Sequence, residues 1–143
     1  MYNFSKDWPE LNAFSTVLPV RITDVNYGKH LGNDALLGLV HEARMRFLAE
    51  RGCSEEDCGD GVGLIMRGLQ VRFLAQAVYG DVLVCQVGIV KEGRAGFTLG
   101  YRFVFEGEER VAAEVETELL FFNYERQRPA RKPAGWQGGG GDE

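Results

Sequence analysis

Asn33-Asp34-Ala35-Leu36-Leu37-Gly38-Leu39-Val40-His41-Glu42-Ala43-Arg44-Met45-Arg46-Phe47-Leu48-Ala49-Glu50-Arg51-Gly52 is the stretch that decides the fold. At 100° per residue, Leu36, Leu39, Val40, Ala43 and Phe47 fall on one face, with Leu37 and Leu48 beside it. Asn33 or Asp34 suits the N-cap and Gly52 suits the stop, so the spacing predicts one long helix. The opposite face holds Gly38, Glu42, Met45 and Ala49, a poor surface to offer water. The helix is therefore expected to pack on both sides, with Glu42 semi-buried against another element or a second subunit.

Working outward, the period changes from 3.6 to 2. Before the helix, residues 17–22 read as a strand with Leu18, Val20 and Ile22 on one side, and Pro19 suggests an edge position. A turn-rich stretch, residues 23–33, follows. After the helix, Leu69, Val71 and Phe73 alternate with Gln70 and Arg72, and residues 82–90 form a β-branched run. Phe97, Leu99, Tyr101, Phe103 and Phe105 then alternate with polar or small residues. So do Val111, Ala113, Val115, Leu119 and Phe121, with Glu114, Glu116 and Glu118 between them. Tyr79-Gly80-Asp81, Glu92-Gly93 and Glu106-Gly107-Glu108 are turns, so neighbouring strands pair antiparallel. One apolar helix face and one apolar sheet face must cover each other. The fold class is α+β: a curved, antiparallel, five-stranded sheet wrapped around one long central helix.

Composition narrows the function. The chain has 143 residues, 45% of them hydrophobic, and a formal net charge of −5. It can build a core without metal or disulfide staples. The negative charge argues against nucleic acid, whose phosphates demand a basic face. No apolar run approaches the roughly 20 residues that a membrane span requires. Lys6, Asp7 and Trp8 stand where a secretory leader would be apolar, so a cytoplasmic location is expected. Cys53, Cys58 and Cys85 are accordingly read as reduced thiols, and the spacing of the first two suits no zinc site. Residues 1–136 are expected to form a single domain, and residues 137–143 a Gly-rich disordered tail.

The order of elements, with Asp24-Val25-Asn26-Tyr27-Gly28-Lys29-His30-Leu31-Gly32-Asn33 leading into His41-Glu42-Ala43-Arg44, resembles the hotdog fold. More narrowly, it resembles the 4-hydroxybenzoyl-CoA thioesterase-like acyl-CoA thioesterases. Members carry an Asp-x-Asp-x-x-x-His-Val-Asn-Asn-like stretch before the helix and a Glu-Ala-Arg on it. The likeness spans roughly residues 15–136 and includes the turn at Gly80 and the closing Arg128-Pro129-Ala130-Arg131-Lys132-Pro133 before Trp136. It implies hydrolysis of an acyl-CoA to free acid and CoA, with coenzyme A as part of the substrate and no other cofactor or metal. It also implies a homodimer or dimer of dimers with active sites at the seam. One departure matters: the family's usual catalytic Asp falls on Asn26, while Asp24 and His30 are kept and Gly32 replaces an Asn.

Thioester hydrolysis needs a carboxylate to activate water or attack, and donors for the oxyanion. A helix N-terminus supplies donors through its unpaired N–H groups. An amide cannot act as base, so the carboxylate must be Asp24, Asp34 or Glu42. Glu42 is favoured, since its apolar face would partly desolvate it. Asn26 would then position substrate or water, and His30 would donate to the carbonyl or orient Glu42. Each residue has a plainer alternative. Glu42 can pair with Arg46 one turn on, His30 can be a loop residue bonded to backbone, and Asp34 can cap the helix. Asp24 can brace the turn, and His41 reads as structural. For the CoA phosphates, Arg94, Arg126, Arg128 and Arg131, with Lys132, are the candidate cations. Three functions stay open: thioester hydrolysis, an acyl-thioester dehydratase or hydratase, and a binding domain that holds an acyl ligand without turning it over.

Overall fold

The structure is a computed structural model that describes Trp8, Leu11 and residues 14–136. The expected tail, residues 137–143, lies outside the described residues. Strand β1 (Phe14–Pro19) leads through a 3-10 turn (Ile22–Asp24) to helix α1 (Asn33–Glu50), then to β2 (Val62–Phe73), β3 (Val82–Glu92), β4 (Gly96–Phe105), β5 (Val111–Asn123) and the two-residue β6 (Arg128–Pro129). The sheet runs β1-β3-β4-β5-β2, every pairing antiparallel, with β6 against β5. This is the hotdog arrangement, with a short sixth strand beyond the five expected. β1 ends earlier than the sequence suggests. The Asp24 carboxylate accepts the Arg21 N–H at 2.8 Å, which turns the chain into the 3-10 segment and leaves Ile22 exposed.

The helix buries the stripe its spacing predicts: Leu36, Leu39, Val40, Ala43, Phe47 and Leu48. They meet Leu83, Cys85 and Val87 of β3, Leu99, Tyr101 and Phe103 of β4, and Val115, Leu119 and Phe121 of β5 in one continuous core. Each large side chain so buried contributes about 1.5–3 kcal/mol. Gly52 stops the helix with φ +70, and its N–H bonds Ala49 O at 3.0 Å, a left-handed close that glycine adopts without strain. The opposite face does not fit expectation within one chain. Gly38, Glu42, Met45 and Ala49 are exposed, and no element among the described residues covers them.

On the outer face of the sheet, Glu114 and Glu116 are buried. Glu114 accepts hydrogen bonds from Arg72 at 2.6 Å and Arg102 at 2.9 Å, and Glu116 accepts the Trp8 indole N–H. Trp8 and Leu11 lie over Gly100 and Gly88, whose missing β-carbons make room for them. A further correction concerns sulfur. Cys53 and Cys58 form a disulfide with a Cα–Cα distance of 4.5 Å, and only Cys85 is a free thiol among the described residues. Burial pushes the Cys85 thiol well up and leaves it inert.

Phe47 is fully buried and meets Phe14 edge to face at 5.7 Å. Phe47→Ala should lower unfolding stability by about 3–5 kcal/mol in urea titration. A loss below about 1 kcal/mol would contradict its place at the centre of the core.

Candidate active site

The segment before the helix folds on itself because Asn26 bonds its own backbone neighbours. Its Oδ1 accepts the Gly28 N–H at 3.0 Å and the His30 N–H at 3.4 Å. Asn26 N–H donates to His30 O at 2.9 Å, and Lys29 takes a left-handed φ of 66 at the turn. This tight turn is pinned on two sides. Leu31 N–H bonds Ala77 O at 2.8 Å, and Gly32 N–H bonds Asp24 O at 2.9 Å. Asp24 itself is buried, and both of its oxygens are taken by the Arg21 side chain at 3.1 Å. Those hydrogen bonds hold its carboxyl below the ordinary value.

Gly32, not Asn33 or Asp34, is the N-cap, because its carbonyl accepts Leu36 N–H while its own backbone is extended. The N–H groups of Asn33 and Asp34 donate to nothing among the described residues, which leaves two donors open at the head of α1. Asp34 Oδ1 accepts the Ala35 N–H at 2.9 Å.

Two hollows meet here. One is a cavity of about 310 Å³ whose apolar wall of Leu31, Leu36, Phe73, Ala77, Leu83 and Ala113 is joined by the polar Asn26, His30, Asn33 and Gln76. The second is an open polar groove of about 840 Å³ along the outer side of α1, bordered by Arg21, Asp24, Asp34, Gly38, Glu42 and Arg46. Asn26 is the single residue that borders both. The His30 ring, half-buried, faces the cavity and makes no hydrogen bond among the described residues.

Asn26 and His30 therefore come together at the helix head, whereas Glu42 does not. It lies nine residues into α1, about 12 Å along the axis from Asn33–Asp34. Its side chain is 52% exposed and accepts the Arg46 guanidinium at 2.8 Å, as the plainer alternative had it. Arg94, Arg126, Arg128 and Arg131 are exposed and form no ion pair among the described residues. They gather where Lys132 N–H bonds Arg94 O, beyond the far end of β3 from Leu83, and an 11-residue strand separates them from the cavity by roughly 35 Å in the same chain. His41 binds Glu55 at 3.1 Å. Phe73 and Gly32 are site residues the sequence did not reveal, since only the tertiary turn brings the end of β2 to the helix head.

Glu55 also ties the helix down. Arg44, buried in the core, donates to Glu55 at 2.7 Å and to the Tyr101 hydroxyl at 3.3 Å, and Tyr101 meets Thr117 at 2.8 Å. Burial alone would push the Glu55 carboxyl upward, but the bonds and charge of Arg44, then His41, hold it below the ordinary value.

A sequence model of the thioesterase-like superfamily matches residues 20–138, and the chain belongs to that superfamily. No curated protein sequence matches it. A 1,4-dihydroxy-2-naphthoyl-CoA thioesterase from Synechocystis superposes with a TM-score of 0.77 at 21% identity, over 87% of this chain and 92% of that one. A Staphylococcus aureus protein solved in complex with CoA gives 0.78 at 16% identity, over 86% and 78%. A DHNA-CoA thioesterase from Staphylococcus aureus gives 0.72 at 17% identity, over 82% and 78%. At such identities the likeness is one of fold.

Asp24 and Glu55 both set the acid limit of the fold. The unfolded chain takes up protons at ordinary carboxyl values, whereas the folded chain resists until lower pH. Their stabilisation is thus present above the ordinary range and lost as pH falls through the depressed folded values. Thermal melts from pH 7 to pH 3 should show a shallower acid decline in Glu55→Gln than in the native chain. Identical slopes would contradict the Arg44–Glu55 pairing.

Proposed function

We propose that this chain hydrolyses acyl-CoA thioesters, in the manner of the 4-hydroxybenzoyl-CoA thioesterase-like group, with the thioester seated at Asn26. One observation carries this: Asn26 alone joins an apolar cavity to a polar groove, directly beside the open N–H groups of α1. The acyl group fits the cavity and the pantetheine arm the groove, which places the carbonyl at the junction. Asn26 Oδ1 is already committed to backbone N–H groups, so its amide N–H₂ is the free end and acts as a donor. With Asn33 N–H it stabilises the oxyanion. His30 borders the acyl side and steadies the bound carbonyl. Asp34 and Glu42 both border the groove as sources of a base. The cavity volume suits an aryl or medium-chain acyl group, in line with the naphthoyl substrate named for the Synechocystis protein.

A homodimer completes the site. The outer edge of β2 carries no strand partner among the described residues and exposes Ile65, Met66, Leu69 and Phe73. Two copies pairing there extend the sheet and cover the open side of the cavity at Phe73. Arg94, Arg126, Arg128 and Arg131 lie too far from Asn26 of their own chain, so they serve CoA phosphates bound at the site of a neighbouring copy.

Purified protein offered a panel of aryl, medium-chain and long-chain acyl-CoAs should release free thiol, and Asn26→Ala should lower kcat about 100-fold, as loss of an oxyanion donor does. Zero release across the panel with retained acyl-CoA affinity would instead identify a binding domain, which the amide at position 26 also suits. Sedimentation should give twice the chain mass; a monomer at micromolar concentration would remove the shared site.

A further inference from the structure

Three carboxylates border the groove beside Asn26, and they differ in what holds them. Asp24 is buried, and Arg21 binds it through its backbone N–H and both arms of its guanidinium. Glu42 is engaged by Arg46 and stands more than two turns down the helix. Asp34 alone has no cationic partner among the described residues. Its one bond, from the Ala35 N–H, fixes the carboxylate over the helix head and leaves Oδ2 unoccupied.

The backbone at Gly32 shows where that carboxylate points. A β-carbon built on Gly32 would stand 2.9 Å from Asp34 Oδ1 and 4.0 Å from Asn26 Cβ. Gly32 therefore lies beside both the Asp34 carboxylate and the Asn26 side chain, and having no β-carbon it leaves that space clear. The free N–H groups of Asn33 and Asp34 lie at the same helix head. Asp34 and Asn26 both border the groove, and Asn26 and Asn33 both border the acyl cavity, so a carboxylate, an amide donor and backbone donors lie around the junction at Asn26.

Resting on the thioesterase function proposed above, we infer that Asp34 is the carboxylate that activates water, and that Gly32 is required to let it do so. A water at that junction gives its proton to Asp34, and its oxygen bonds the thioester carbonyl carbon. The carbonyl π pair moves onto oxygen, where the Asn33 N–H and the Asn26 amide receive it. Collapse restores the carbonyl and breaks the C–S bond, and the proton passes from Asp34 to the departing sulfur. Thioester and water yield carboxylic acid and thiol, with no other reactant.

The experiment compares kcat, KM and melting temperature in the full chain, using the best acyl-CoA from the panel. Asp34→Asn should lower kcat about 100-fold or more with KM changed by no more than about threefold, the pattern for loss of a general base. Asp34→Ser keeps an oxygen acceptor for the Ala35 N–H, so it should hold the native melting temperature and lose kcat equally. If the native chain turns over but Asp34→Asn and Asp34→Ser retain its kcat, or Glu42→Gln shows the loss instead, the assignment to Asp34 is overturned while the thioesterase function stands. If the native chain releases no thiol from any acyl-CoA, both fall together.

Discussion

The burial of one helix face in a curved sheet is the constraint from which the rest of the molecule follows. Leu36, Leu39, Val40, Ala43, Phe47 and Leu48 cannot meet water, and the sheet must bend to reach them all. That curvature fixes the direction and height of α1 against β3, β4 and β5. It also fixes where the head of the helix ends, since Arg44 reaches through the core to Tyr101 and is neutralised from outside by Glu55. A charge so deeply placed is tolerated only while its partners are all in position. The helix is thereby held against sliding or rotating, and its open N–H groups come to rest beside Asn26.

Around that fixed point the chain assembles a site from short-range chemistry. Asn26 closes its own turn, Asp24 braces the turn from behind through Arg21, and the residues 77–78 connector holds it from the side. None of these bonds spends the Asn26 amide nitrogen or the helix-head donors. The site is therefore built rigid and left with unpaired donors, the arrangement that favours binding an oxygen on which charge develops. The apolar cavity on one side and the charged groove on the other give a thioester two chemically different arms to place.

Much of this was legible beforehand because it depends on local periodicity. The helix, its buried face, its glycine stop and the antiparallel order of the strands all follow from spacing that each segment carries in itself. Asn26 and His30 could be named because they sit within a few residues of the helix start, so chain connectivity alone keeps them near it. An apolar neighbourhood on a helical wheel does not say which surface arrives to cover Glu42; among the described residues of one chain none does, and Arg46 pairs with its charge. The arginines after β5 look like partners for phosphate by composition, yet the length of β3 carries them far from the cavity.

By itself the sequence determined the element types, the face that each buries, and the absence of a carboxylate at position 26, because these are properties of residue identity and of 3.6- or 2-residue repeats. Only the tertiary structure decided that Asn26 borders both hollows, that Glu114 and Glu116 are buried under Trp8 and two arginines, that Cys53 meets Cys58, and that Phe73 borders the cavity. Each of those depends on distances across the fold, set by sheet curvature and loop paths that no single segment encodes.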